Sequence, residues 1–325
     1  MRSLALLGAL LLVGCGRPTK PNASPPNRSE RSAHPAPSSP GTHASSSPST
    51  AASRDASANA EPAKDAAQAG TPCGALSCRQ FGSPTEALRL VLAQKPLVLG
   101  IGEAHAQRGS EGIRSATHRF THDLLPILAP TSSDLVLELM IPDGTCKKAE
   151  RQVREVQKGV VKRQASSNQD EFTKLGHEAK ALHVRPHVLR PGCDEFKKIK
   201  AAGRDGIAQM LTMIANLSEA LTRKILARNA RRKLSKAVVL YGGALHNDIP
   251  AVQGREKWTF GPALDKATGG RYVALDLIVP EFIKDSDSWR ALPWYPHYDL
   301  AKLGKVTVLY KTGPRAFTLI FPAST

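Results

Sequence analysis

Four side chains that exchange protons stand at the ends of apolar runs. Glu103 and His105 follow LVLGI (97–101) and Gly102, Glu138 sits inside DLVLELMIP (134–142), and His246 follows KAVVLYGG (236–243). An imidazole beside carboxylates holds its proton more tightly and can take one from water near neutral pH, which is general-base chemistry. His105, Glu138 and His246 also make a donor set of two imidazoles and a carboxylate, the composition of a divalent-metal shell with a position left for water. Arg114, nine residues beyond His105, is a candidate to steady an anionic intermediate or a substrate carboxylate. Glu138 is the most constrained of the set, because a carboxylate in an apolar run is costly unless it is paired or protonated. The chain contains no GxSxG, HExxH, P-loop or dinucleotide fingerprint, so the serine-elbow, zincin and nucleotide readings are set aside.

A second cluster, Trp294-Tyr295-Pro296-His297-Tyr298, packs aromatics and an imidazole into one short stretch. It reads either as a hydrophobic plug or as a surface for a flat ligand, with Tyr298 or His297 ligating haem iron. His118 and His122 lie four apart on a helical stretch and read as a solvated or rim face.

To bring the first set together, the apolar runs must be neighbouring strands. Short apolar runs alternate with longer helical stretches, at about 110–128, 147–181 and 204–233. That alternation predicts an α/β fold, a mostly parallel sheet flanked by helices on both faces. VTVLYK and AFTLIF, around Thr312-Gly313-Pro314-Arg315, predict a closing C-terminal β-hairpin. Pro186 in ALHVRPHVL (181–189) demotes that run to an edge strand or a bulge. Ligands of such sheets bind beyond the C-terminal strand ends, where Glu103, His105, Glu138 and His246 are expected to share one rim.

VLGIGEAH, the stretch carrying Arg114, LVLEL and VLYGGALHN, together spanning roughly 95–250, resemble the superfamily of the haem-binding ChaN proteins, the Tiki/TraB proteins and the erythromycin esterases. Likeness to the esterases implies that His105 is a base activating water, with Glu103, Glu138 and His246 around it and Arg114 as the site arginine. Those esterases keep two residues between the acid and the histidine. Here only Ala104 intervenes, a spacing closer to ChaN. Likeness to ChaN implies a haem-binding surface, and likeness to Tiki a metal-dependent peptidase with His and Glu ligands. The expected ligand is thus a small-molecule or peptide substrate, or haem, with haem or a divalent metal as the cofactor.

The 325 residues carry 45 Lys+Arg against 28 Asp+Glu, a net +17, and are 41% hydrophobic. That content is too high for a wholly disordered chain and too low for a multi-span membrane protein. Residues 1–14, MRSLALLGALLLVG, have the layout of a signal peptide, with an apolar run too short to span a bilayer. Leu12-Val13-Gly14-Cys15 resembles the lipobox of bacterial lipoproteins, which implies acyl chains on Cys15, a membrane anchor and a place in the bacterial cell envelope. Gly16 is compatible with sorting to an outer membrane. Residues 15–72 then form a Pro/Ser/Ala tether, whose 57 residues from Gly16 onward would span roughly 40 Å as a flexible coil, leaving 73–325 as the folded domain. Without Cys15 an even number of cysteines remains, suited to an oxidising compartment. Cys73 and Cys78 are close enough to close a small loop, which would leave Cys146 and Cys193 as a pair, although four cysteines permit three connectivities. Residues 147–236 hold 22 Lys+Arg and 9 Asp+Glu, nearly all of the domain's excess charge. This reads as a solvated face or as one attracted to anionic envelope surfaces. Export and the lack of base-stacking aromatics in the basic run exclude nucleic acid.

Overall fold

The computed structural model describes residues 70–142 and 144–324, together with Leu12–Val13, whose backbone pairs parallel with Leu139–Met140. The rest of the expected signal peptide, the lipidation site Cys15 and the tether up to residue 69 lie outside the described residues. Among the described residues, no helix is long and apolar enough to cross a membrane.

The strands are β1 (Thr71–Gly74), β2 (Cys78–Phe81), β3 (Val98–Glu103), β4 (Ser132–Met140), β5 (Arg185–Leu189), β6 (Ala237–Gly243), β7 (Tyr272–Ile278), β8 (Thr307–Gly313) and β9 (Ala316–Ile320). They form one sheet in the order β5-β4-β6-β3-β7-β9-β8-β2-β1. The first six are mutually parallel, and β8 and β9 form the antiparallel C-terminal hairpin. The antiparallel β1–β2 hairpin extends the sheet beyond β8, an element that the sequence pattern did not announce. Its turn is bridged by the Cys73–Cys78 disulfide, with Cα atoms 5.0 Å apart. The edge position of β5 suits Pro186, which has no N–H to give to a ladder.

Alternation along the strands divides the core into two faces. Leu99 and Ile101 of β3, Leu135 and Leu137 of β4, and Val239 and Tyr241 of β6 pack under α1 (Pro84–Leu92), α2 (Ala116–Arg119 and its continuation to Leu128) and α4 (Asn168–Ala181). Val98, Val136, Val238 and Leu240 face the opposite way, under α3 (Lys147–Val161), α5 (Cys193–Ala201), α6 (Gly206–Arg231) and α7 (Gly261–Ala267). Farther along that second face, Trp289 and Trp294 cover Ile278, Val308, Tyr310 and Ile320.

Local chemistry sets the boundaries. Helix α2 begins at Ala116, later than the apolar periodicity indicates, because the Ser115 hydroxyl caps it by accepting the His118 N–H at 2.9 Å. It continues through a widened turn, Phe120–Leu124, into Leu125–Leu128. Pro126 lies where an ordinary helix needs an N–H, and the turn before it is closed by the longer Leu125 N–H to Phe120 carbonyl bond. The stretch 147–181 is two helices, because residues 163–165 give their backbone to the segment after β3. The Arg108 N–H bonds the Arg163 carbonyl and the Ala165 N–H bonds the Ala106 carbonyl, both at 3.0 Å. At the start of β4, buried Asp134 accepts from Arg228 at 2.6 and 2.7 Å and from His187 at 2.7 Å. Burial raises this carboxyl, but those bonds outweigh it and hold it well below the usual carboxylate range, fastening α6 and β5 to β4.

Candidate functional site

Glu103, the last residue of β3, is in phase with Leu99 and Ile101 and so points to the first face. Its Oε1 lies 2.6 Å from His105 Nδ1. Its Oε2 accepts the Thr117 hydroxyl at 2.8 Å and the Tyr241 hydroxyl at 2.5 Å. Burial and the adjacent Glu103 charge push the Tyr241 phenol well above its ordinary value, so it remains a donor. An ionised carboxylate only accepts, so His105 carries its proton on Nδ1 and its lone pair on Nε2. Phe172 meets the imidazole edge-on with centroids 5.8 Å apart, and His105 is 1% exposed. The 163–165 segment and the Asn168 amide, which bonds the Ala106 carbonyl at 3.0 Å, lie against the residues that follow it. Beside this group, the Ser115 hydroxyl donates to Glu171, whose carboxyl is raised by burial and, more weakly, by Glu103.

Glu138 is in phase with Val136 and Met140 and points to the second face. Its Oε2 accepts the Gly243 N–H at 2.6 Å. Its Oε1 lies 3.6 Å from His246 Nε2, and neither atom has a hydrogen-bond partner among the described residues. The His246 Nδ1–H donates to the Trp258 carbonyl at 2.5 Å, which fixes Nε2 as the nitrogen facing the acid. The void here, bounded also by Ser218 and Phe260, measures about 10 Å³, the lower limit for a single water. Gly242 makes the arrangement possible, since a Cβ there would lie 2.7 Å from the Glu138 Cβ.

Asp276, on β7 opposite Gly102, continues the second face. It accepts from Asn247 at 3.2 Å. Burial and then the neighbouring Asp248 push its carboxyl up to about 8, against the opposing effect of the Asn247 bond. Asp248 itself is pushed up to about 6 by burial, with Arg255 acting in the other direction. The single turn Ala244–His246 crosses Gly102, where a Cβ would meet the Ala244 Cα at 2.7 Å. His246 thereby reaches Glu138 while Asn247 reaches Asp276.

The structure thus places Glu103, His105, Glu138 and His246 at the C-terminal ends of adjacent strands, all buried, as two acid–imidazole pairs on opposite faces of the sheet. The expectation of one shared rim site is corrected accordingly: strand alternation separates Glu103 from Glu138. Among the described residues, no three His, Cys, Asp or Glu side chains are placed to hold a metal ion, so the donor set His105, Glu138 and His246 does not assemble. Arg114 is exposed, and its carbonyl accepts the Arg119 Nε–H at 3.1 Å. The buried guanidinium is that of Arg119, which donates to the Pro322 carbonyl at 2.5 Å and to Ser324 at 2.9 Å. Of the two residues expected to bind haem, His297 is exposed, whereas the Tyr298 ring packs at 6.2 Å on Trp294; burial pushes its phenol up to about 12, and its hydroxyl has no hydrogen-bond partner among the described residues. Cys146 is bonded to Cys193, with Cα atoms 5.3 Å apart.

Sequence reasoning missed Tyr241, Glu171, Asn247 and Asp276 as site residues. Asp276 carried the same signal as Glu138, an acid within an apolar run, and Thr117 was the one hydroxyl in the apolar stripe of α2.

No family model matches the chain, and no curated protein matches it. Among solved structures, the type III effector HopBA1 aligns at 12% identity with a TM-score of 0.34, over 66% of this chain and 94% of that one. A Bacillus cereus protein aligns at 10% identity with a TM-score of 0.33, over 70% of this chain and 89% of its own. Similarity at that level carries no argument about what this chain does.

Proposed function

We propose that this protein is a lipid-anchored lipoprotein of the bacterial cell envelope whose α/β domain hydrolyses ester or peptide bonds in a small-molecule or peptide substrate, with His105 as the base that activates water. One observation carries the reading: Glu103 holds His105 Nδ1 at 2.6 Å while its other oxygen is fixed by Thr117 and Tyr241. A carboxylate restrained at both oxygens orients the imidazole and favours the imidazolium that forms when water gives up its proton. The second pair, Glu138 and His246, is sealed in a void with room for no more than a water, so it supports the strand ends and does not meet substrate. Because His105 is 1% exposed, substrate entry requires the chain around it to open, and the 163–168 segment, bonded to residues 106–108, is the part proposed to lift.

The test is hydrolysis of an ester and peptide panel by the purified chain, alongside His105→Ala. The expected result is turnover that falls by about 10²–10⁴-fold in the variant. Turnover equal in both, or none on any substrate, would remove the proposal. A saturating hemin titration, unaffected by His105→Ala but lost on Tyr298→Phe, would put haem capture in its place.

A further inference from the structure

A cleft of about 690 Å³ opens at the β5 edge of the sheet, between α4 and α6, and is backed by Phe172, the ring that meets His105. Leu139, Phe172, Val188 and Leu221 contribute apolar surface to it. Lys180 of α4, Arg190 just beyond β5 and Lys224 of α6 also line it, and no carboxylate does. Among the described residues, none of these three cations is in an ion pair, although neighbouring Arg223 and Arg228 are. The volume lies within the range of ordinary ligand pockets. An apolar trough bordered by three cations that have no ion-pair partner among the described residues is complementary to a long apolar tail carrying a negative head. An added peptide strand is less suited, because Pro186 interrupts the donor pattern of the β5 edge.

We propose that this cleft binds a long-chain fatty acid, one molecule per chain, with its tail along Val188 and Leu221, on the side of Leu139 that Leu12–Val13 does not pair with, and its carboxylate held by Lys180, Arg190 and Lys224. The site is independent of the hydrolysis proposed above.

The experiment titrates the purified full chain with a fluorescent polyene fatty acid, then displaces it with oleate or with oleyl alcohol. Saturable binding at one per chain is expected, with oleate displacing at least 10-fold better than the alcohol. Leu221→Trp, which fills the trough, is expected to weaken oleate binding at least 10-fold. The double change Lys180→Glu with Lys224→Glu, at exposed positions that leave the core intact, is expected to do the same and to abolish the preference for the acid over the alcohol. Equal displacement by acid and alcohol, or unaltered binding by the charge-reversed chain, would overturn the proposal. So would capture by phosphatidylglycerol vesicles without binding of monomeric oleate, which marks the cleft as a membrane-docking face. Self-association that buries the cleft and is indifferent to oleate would equally overturn it, and assign the face to a second copy.

Discussion

At the scale of single residues, Tyr241 is the most informative position around Glu103. Tyr241→Phe removes one of the hydroxyls that hold the Glu103 carboxylate and leaves Thr117 alone on that oxygen. The expected cost is about 1.5–3 kcal/mol in denaturant unfolding, the range for a hydrogen bond to a charged acceptor. Asp276 predicts a pH dependence. Its carboxyl is pushed up to about 8 in the native chain from an ordinary value of 3.8. Between those values the native state keeps a proton that the unfolded chain has released, so stability falls as pH rises and levels off above about 8. The slope from this one group approaches 1.4 kcal/mol per pH unit. Asp276→Asn, of equal size, should remove that fall; urea unfolding at pH 5, 6, 7 and 8 measures the difference, and parallel profiles would reject it. Glu103, His105, Glu138 and His246 were legible because acids and imidazoles beside apolar runs are conspicuous. Their division into two pairs was not, because face assignment depends on strand phase, and Ala104 lets the chain turn His105 back onto its own strand's acid.

Among the elements, the parallel strands were readable from their apolar runs, and the β8–β9 hairpin from its turn. The β1–β2 hairpin was not, since TPCG and CRQF carry little apolar alternation and depend on their disulfide and on pairing with β8. Helix α2 shows the same limit: its apolar stripe extends upstream of Ala116, but a hydroxyl cap at Ser115 decides where helix begins. The β6 turn offers a test at this scale. Gly242→Ala inserts a methyl against the Glu138 carboxylate and should destabilise the domain by about 1–3 kcal/mol, the usual cost of overpacking. Calorimetry of the variant reads this directly, and a melting temperature equal to the parent's would show that Glu138 moves aside freely.

For the whole molecule, the Cys146–Cys193 bond encloses α3, α4 and β5, a sequence separation of 47. Loop-closure entropy assigns such a bridge about 4 kcal/mol, against about 2 kcal/mol for the Cys73–Cys78 bridge with its separation of 5. Replacing Cys146 and Cys193 together by Ser should therefore lower the unfolding free energy roughly twice as much as replacing Cys73 and Cys78. Equal losses would indicate that the denatured chain keeps the 146–193 stretch compact.

The glycines that floor the Ala244–His246 turn have a further consequence for identifying kindred proteins. A chain that carries the two acids and two histidines in order, but bears a side chain where Gly102 and Gly242 stand, has no room to seat the turn or the Glu138 carboxylate as here. The fingerprint of this architecture is therefore the empty space beneath the turn as much as the reactive groups around it, and a motif built from the acids and histidines alone would collect impostors.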